Sequence, residues 1–290
     1  MKKCFFLIAV LLTSVEVSFA QQKTWFDKIT IGQSMETAEQ TKEPAQFQLT
    51  LPKKDSASWL TNIGLSYKLG SNSHSLLSKL TTEYHRNTVI DKKQNNLMLG
   101  YSYTWQFDKK VNNKNVWFSV GDLKYVYDGI EIKNSFAANI LLTFSNDDSR
   151  FLHWNANKYY GGVKRSIFLS LFGGLQIQDV FNAKSDSAKG LILRPTFTSS
   201  LIYDFNDIKD TSTNVRLSIS YTGRKDAINN TKNLDEGYTQ LLKAGLEVFL
   251  LKKPLKISIG ASFNYGSDPL KGLKDQQFWL LSFNFQKGKK

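Results

Sequence analysis

The 290-residue chain has little cysteine, proline or histidine, and each shortage excludes a class of protein. It contains one cysteine, five prolines and three histidines. The cysteine, Cys4, lies in a segment typical of a signal peptide, so the rest of the chain has no disulfide and no thiol catalyst. Three scattered histidines without cysteine have no metal-ligand spacing. We therefore expect neither a metal nor another cofactor.

The first 20 residues have the three parts of a signal peptide. Lys2 and Lys3 form a basic start, residues 4–12 begin an apolar core, and residues 18–20 (Ser-Phe-Ala) form a cleavage site. A signal anchor is the alternative, which the short core disfavours. The net charge of +13 is spread without a Lys/Arg block, so we expect anionic lipid or solute as its partner, and no nucleic acid.

Long apolar runs are also missing after residue 20. The charge-free and mostly apolar stretch at residues 166–178 is shorter than the roughly 20 residues of a membrane helix. Apolar and polar residues instead alternate over about ten positions, followed by polar patches, which is typical of membrane β-strands. Twelve segments have this pattern: residues 45–51, 59–69, 76–86, 96–107, 116–127 (with a β-bulge near Gly121), 136–144, 167–177, 191–203, 215–221, 238–250, 255–265 and 277–285.

Twelve such segments predict an all-β fold, a single antiparallel transmembrane β-barrel of about 12 strands. A secreted β-sandwich is the alternative, but aromatic residues stand near the ends of the apolar faces, as at a membrane interface. These aromatic residues are Trp59, Tyr67, Tyr103, Trp105, Tyr203, Tyr221, Tyr265 and Trp279. The predicted domains are a signal peptide (1–20), a periplasmic N-terminal segment (21–43), the barrel (44–286) and a basic tail (287–290).

The alternating segments resemble those of the bacterial outer-membrane β-barrel (porin-like) superfamily over residues 45–285. The last segment, residues 277–285 (QFWLLSFNF), is similar to the aromatic-ended strand that the barrel-insertion machinery recognises, although five residues follow it here. The Lys- and Asn-rich composition resembles that of Bacteroidota proteins. The resemblance implies a Gram-negative outer membrane, with lipid, lipopolysaccharide and the insertion machinery as partners.

The histidines provide no complete catalytic set. Outer-membrane lipid hydrolases resemble one another in a His-x-Ser step, but His74, His85 and His153 are not followed by serine at that distance. Glu83 and His85 are the nearest to a catalytic couple. They form either an acid/base pair or an ion-pair network inside the barrel with Lys79, and we favour the network. We therefore expect no enzyme.

The strand phase places more basic than acidic residues on the inner wall, with a net charge of about +4. A wall of one sign concentrates counter-ions, so we predict a narrow channel for small, anionic solutes. A closed barrel that serves a secretion or assembly partner is the alternative, and a lipid-modifying enzyme is a third. The inner-wall residues that we predict for the anion path are Lys68, Lys79, Arg194, Arg216, Lys243 and Lys256, with Glu83, His85 and Glu247 as the acidic and histidine residues.

The connections have unequal lengths, which predicts an orientation. We expect residues 87–95, 223–237 and 266–276 to be exposed outside the cell, and the tight turn at residues 251–254 to face the periplasm with both termini.

Overall fold

A computed structural model describes residues 28–35, 45–50, 58–73, 76–88, 93–107, 115–148, 153–207, 212–231, 237–252 and 255–287. The predicted signal peptide, most of the predicted tail and residues 36–44 lie outside this part of the chain. The described part is built from strands and one short 3-10 turn, Asp186–Ala188. None of its residues form a helix of the length and apolarity needed to span a membrane.

Fifteen strands form one sheet. They are β1 (Ile29–Gly32), β2 (Ala45–Thr50), β3 (Ser58–Ser73), β4 (Leu76–Asn87), β5 (Gln94–Gln106), β6 (Asn115–Asp128), β7 (Lys133–Asn146), β8 (Asn157–Tyr160), β9 (Arg165–Asn182), β10 (Gly190–Asn206), β11 (Thr213–Lys225), β12 (Ile228–Asn229), β13 (Tyr238–Leu251), β14 (Leu255–Asp268) and β15 (Leu273–Lys287).

Twelve of the strands form an antiparallel barrel in which each pairs with two neighbours. The order β2-β3-β4-β5-β6-β7-β9-β10-β11-β13-β14-β15 follows the chain, and β15 returns to β2. The twelve strands are the twelve segments expected from the alternation, so the predicted fold class is confirmed. The seam is short: among the described residues, β15 and β2 pair only through Asn284 with Gln46 and Phe285 with Ala45.

The three short strands extend the barrel wall. β1 pairs with β3 beside β2, from Ile29 opposite Tyr67 to Gly32 opposite Gly64. Residues 29–32, which we had assigned to a separate periplasmic segment, are therefore part of the wall. Ile29 and Ile31 alternate with Thr30 and Gly32 as in the longer strands, but the segment is too short to be recognised by this pattern.

The long connection after β7 contains β8. β8 pairs with the first residues of β9, from Asn157 opposite Phe168 to Tyr160 opposite Arg165. β7 itself reaches β9 only from Leu142 opposite Gly173 onwards. β8 thus covers the edge of β9 that β7 leaves free.

The barrel has its apolar side chains outside and its polar side chains inside. On β4, Glu83 is 1% and His85 2% exposed, whereas Leu80 on the other face is 50% exposed. Water-soluble proteins bury apolar surface, so this reversal suits a barrel surrounded by lipid. Outward apolar residues with large exposure occur all around the barrel: Leu99, Leu123, Phe136, Ile140, Leu175, Phe197, Ile219, Leu246, Ile259, Trp279 and Leu281.

Strand β6 differs from its expected course. Its pairing with β5 and β7 continues through Gly121 without a register shift, so the predicted bulge is wrong. Ser119 and Gly121 are small residues on the outer face, beneath the Tyr103 ring: a Cβ on Gly121 would lie 2.5 Å from that ring. Val120 faces inward, where it packs with other apolar side chains. Small residues therefore face outward and an apolar residue faces inward at this point of β6. This exchange, and not a bulge, makes the alternation of the sequence change phase near Gly121.

The two ends of the barrel carry different connections. One end, which we call the hairpin end, is the end at which β2, β4, β6, β9, β11 and β14 finish, and it includes residues 129–132, 183–189 and 269–272. At the opposite end, which we call the terminal end, β1 begins and β13 and β15 finish. The three connections expected to share one side therefore do so.

Candidate functional site: the barrel lumen

All nine predicted inner-wall residues lie on the inward phase of their strands. Arg194, Glu83 and His85 are nearly completely buried. Lys68 on β3 and Lys79 on β4 are paired in the sheet. Each lies two positions from a buried polar residue, Ser66 and Thr81 respectively, and therefore on the same, inward face. Arg216, Lys243, Glu247 and Lys256 are partly buried on the inward phase of β11, β13 and β14.

Glu83 is the centre of a buried network that joins three strands to the N-terminal segment. Its carboxylate accepts a hydrogen bond from Lys124 Nζ at 2.8 Å, in an ion pair that is almost fully buried. Ser34 Oγ donates to Glu83 Oε2 at 2.9 Å, and His85 Nε2 lies 3.3 Å from the same oxygen. His85 Nδ1 in turn lies 3.1 Å from Asn62 Oδ1.

This geometry bears on both interpretations of Glu83 and His85. In a catalytic triad the serine hydroxyl contacts the histidine, which the carboxylate orients from the other side. Here Ser34 and His85 both contact the carboxylate, and Lys124 balances its charge. The arrangement is that of a structural ion-pair network. The cation that pairs with Glu83 is Lys124. Sequence reasoning missed Ser34 because its segment is assigned there to the part of the chain outside the barrel.

Two of the predicted anion-path arginines have carboxylate partners that the sequence analysis did not place in the lumen. Arg194 Nε donates to Asp226 Oδ1 at 2.6 Å, within a pair that is 3% exposed on both sides. Arg216 donates through Nε and Nη2 to the two oxygens of Asp204, at 2.8 and 2.9 Å. Arg224, Asp268 and Lys271 are further buried charged residues that the expected inner-wall charge did not count. With Asp204 and Asp226, the residues that were not counted are two basic and three acidic, so the formal charge of the wall changes little, whereas both arginines are neutralised by partners.

The tip of the β14–β15 hairpin, residues 269–272, folds into the lumen. Leu270 is 1% exposed and packs with Met98, Val126 and Ala137 on β5, β6 and β7, which lie across the barrel from β14 and β15. Gln94 Nε2 donates to the Lys271 carbonyl at 2.6 Å, and Asn96 Nδ2 to the Leu270 carbonyl at 3.1 Å. The tip thus crosses the lumen at the hairpin end.

Glycines and an ion pair hold this inward course. Gly266 has a φ of +109°, next to a register shift between β14 and β15, so the hairpin bends where a side chain would be strained. Gly272 has a φ of +66°, and a Cβ there would lie 2.7 Å from the Asn96 amide. Lys274 pairs with Glu131 in the β6–β7 connection. The expectation that residues 266–276 are exposed is therefore wrong for the tip.

Glu131 titrates outside the barrel strands. Its hydrogen bond from Lys274 lowers the pKa of its carboxyl group, and the positive charges of Lys274, Lys133 and Lys184 act in the same direction. Partial burial opposes this shift. Glu131 is therefore charged at neutral pH and holds the first residues of β15 against the opposite rim.

Two cavities lie in the lumen, and strands from all around the barrel contribute to their linings. The larger cavity, about 610 Å³, opens at the hairpin end. The smaller cavity, about 140 Å³, lies deeper. Both volumes exceed that of a single water molecule, which occupies about 30 Å³ in the liquid. Residues that represent the two linings are Gln178, Arg194, Thr239, Ser267 and Lys274 for the larger cavity, and Asn62, His85, Ser220, Lys243, Asn264 and Ser282 for the smaller.

An apolar constriction separates the two cavities. Leu273 lines both of them and packs with Leu241, with Phe278 against this pair. Elsewhere in the lumen, Val120, Leu141 and Phe172 form an apolar cluster beneath β6, β7 and β9. The space between the two cavities is interrupted by the hairpin and by the apolar residues at its base.

The described residues contain no group of histidine, cysteine and carboxylate side chains that could hold a metal ion. Comparison with known proteins identifies no matching family and no matching curated protein.

Proposed function

We propose that the chain is an outer-membrane β-barrel that forms a narrow channel for small solutes, closed at rest by the tip of the β14–β15 hairpin. The observation that supports conduction best is the pair of cavities in the lumen, which polar and apolar side chains line together. They are separated by a short constriction and not by a continuous core. A solute that displaced the tip would meet hydroxyl, amide and basic groups as well as apolar side chains.

The location in the outer membrane rests on three features. The signal-peptide pattern indicates export, the outward band of apolar side chains suits lipid, and the aromatic last strand resembles the signal for barrel insertion. Lipid and lipopolysaccharide are then the surroundings of the barrel.

The charges of the lumen favour anions at one place above all. Lys243 lines the smaller cavity and has no ion-pair partner among the described residues, unlike Arg194 and Arg216. A single unpaired cation in a restricted polar space attracts anions and repels cations. We therefore keep the proposal of an anion preference, with Lys243 instead of the arginines as its main source.

A closed barrel that serves a protein partner is the second candidate. The buried Lys124–Glu83 pair and the apolar cluster of Val120, Leu141 and Phe172 favour it, because these groups pack inside the barrel as in a protein core. In this case the cavities have no path between them, and the connections at the barrel ends contact the partner.

Current through planar bilayers distinguishes the two candidates. The refolded chain is expected to conduct in brief openings, and a Leu270→Ala variant in longer or more frequent ones. Heat-modifiable migration on a gel controls for folding. The absence of current from both folded proteins would overturn the channel and support the closed barrel.

The orientation has its own test on whole cells. Asp186 lies in an exposed connection at the hairpin end, and Asp148 in an exposed connection at the terminal end. An impermeant thiol reagent is expected to label Asp186→Cys and not Asp148→Cys. The reverse pattern would place the hairpin end in the periplasm.

A further inference from the structure

Three buried or half-buried arginines face the lumen, and only one of them lacks a matching set of partners. Arg194 and Arg216 each bind a carboxylate through hydrogen bonds of 2.6 to 2.9 Å. Arg224 on β11 is 5% exposed, yet its Nε and Nη1 atoms form no hydrogen bond with the described residues. Buried donors without partners carry a large desolvation cost, so this guanidinium calls for an acceptor.

The nearest carboxylate satisfies Arg224 poorly. Asp268 Oδ1 lies 3.4 Å from Arg224 Nη2, and this oxygen forms no hydrogen bond within the described part of the chain. The ammonium group of Lys271 lies 4.0 Å from Asp268 Oδ2. Two buried cations, Arg224 and Lys271, therefore lie near Asp268, and neither makes a close hydrogen bond to its carboxylate.

A hydroxyl group completes the surroundings of Arg224. Thr239 stands directly opposite Arg224 in the register of β11 and β13, is 4% exposed, and its Oγ1 atom has no hydrogen-bond partner among the described residues. Neutral hydroxyl donors next to a guanidinium are common ligands of oxyanions.

The position of this group relates it to the path through the lumen. Thr239 lines the larger cavity, whereas Asp268 and Lys271 line the smaller one. The Arg224 site, which we define as Arg224, Thr239, Asp268 and Lys271, therefore lies where the two cavities approach each other. It also includes the last residue of β14 and part of the hairpin tip.

We propose that the Arg224 site binds a small oxyanion, the phosphate or carboxylate group of a solute. The inference rests on the proposed channel and names the point in its path where the solute is recognised. The guanidinium and the Thr239 hydroxyl donate to the anion, Lys271 adds charge, and Asp268 competes with the anion for Arg224. A bound anion that replaces Asp268 weakens the hold of the barrel wall on the hairpin, so that binding favours the open channel.

The test is calorimetric titration of inorganic phosphate and, separately, of acetate into the chain refolded in detergent. Arg224→Gln is expected to weaken phosphate binding about tenfold or more, because charge-assisted hydrogen bonds are lost. Asp268→Asn is expected to tighten it several-fold, because the competing charge is removed. Tightening in this variant is a result that a purely structural role of Asp268 does not produce.

Arg86→Gln is the control, since it removes the same charge from an arginine on the outer phase of β4, over the Trp59 ring and away from the lumen. Its phosphate affinity is expected to change less than threefold. Arg224→Lys, which keeps the charge but not the planar donor group, is expected to bind more weakly than the wild type and serves if Arg224→Gln fails to fold. Equal effects of the substitutions at Arg86 and Arg224, or no phosphate or acetate binding by either the wild type or Asp268→Asn, would overturn the proposal.

Chloride current separates this proposal from the channel itself. Binding without current would leave the Arg224 site in place and reject the channel. Current without binding, in the wild type and in Asp268→Asn, would keep the channel and reject the site. If the wild type both binds phosphate and conducts chloride, phosphate is expected to change its chloride current and to have little effect on the chloride current of Arg224→Gln.

Discussion

The substitution Leu270→Ala tests whether the hairpin tip closes the lumen. Leu270 is 1% exposed and packs with three apolar residues of the opposite wall. Truncation of a buried leucine to alanine costs about 2–5 kcal/mol in a protein core. We expect about 2–3 kcal/mol here, since the tip is a turn whose neighbours can relax, and this cost falls on the closed state alone. The ratio of open to closed barrels then rises about 30- to 150-fold.

Single-channel recording measures this ratio directly. The hydrogen bonds from Gln94 and Asn96 to the tip remain in the variant, so the tip is expected to close repeatedly and not to stay out. Leu281→Ala is the matched control: it makes the same truncation on β15, but Leu281 points outward and is 70% exposed. An unchanged open fraction in Leu270→Ala, or an equal increase in Leu281→Ala, would refute the reasoning.

Three further predictions concern the wall, the rim and the path. Ile259→Lys, on the outer face, is expected to destabilise the barrel by about 2–4 kcal/mol near the middle of a bilayer, as measured by urea unfolding in lipid vesicles. Ser262→Lys, on the same strand but in the lining of the smaller cavity, is expected to cost much less, and equal costs would contradict the inside-out assignment. The lowered pKa of Glu131 means that its contact with Lys274 persists at neutral pH and is lost as the pH falls through that pKa. Acid is therefore expected to increase the open fraction of the channel, and Glu131→Gln is expected to abolish this pH dependence. Lys243→Gln is expected to shift the reversal potential in a salt gradient away from anion preference. The anion preference of the wild type is expected to be smaller in 1 M than in 0.1 M salt, because the Debye length falls from about 10 to 3 Å between these concentrations. Cation preference in the wild type would contradict the role of Lys243.

The barrel strands could be predicted from the sequence because their alternation has a single cause. Every residue of a membrane strand faces either lipid or lumen, so apolar residues that face lipid recur at every second position, as Leu97, Leu99 and Tyr101 do on β5. The prediction failed where one face carried an exception. On β6, Ser119 and Gly121 face outward to accommodate Tyr103, and the pattern imitated a bulge.

The arrangement inside the lumen could be predicted only in part. Strand phase correctly placed Glu83 and His85 inside, but it does not show which inner residues meet across the barrel. The Lys124–Glu83 pair depends on the distance between β4 and β6, and the Arg194–Asp226 pair on a connection whose course is set by tertiary contacts. Residues 269–272 have the sequence of an ordinary turn, and their burial follows from contacts with distant strands.

The central claim, a channel closed by its own hairpin, is tested most directly by tethering the tip to the opposite wall. Leu270 and Met98 pack together across the lumen, and Cys4, within the predicted signal peptide, is the one cysteine of the chain. In a Leu270→Cys, Met98→Cys variant without residues 1–20, a disulfide or a short bis-maleimide would hold the tip in place. We predict that the disulfide-linked variant carries no current and that reduction in the recording chamber restores frequent openings. Equal current before and after reduction, with the cross-link demonstrated by mass spectrometry, would contradict the account.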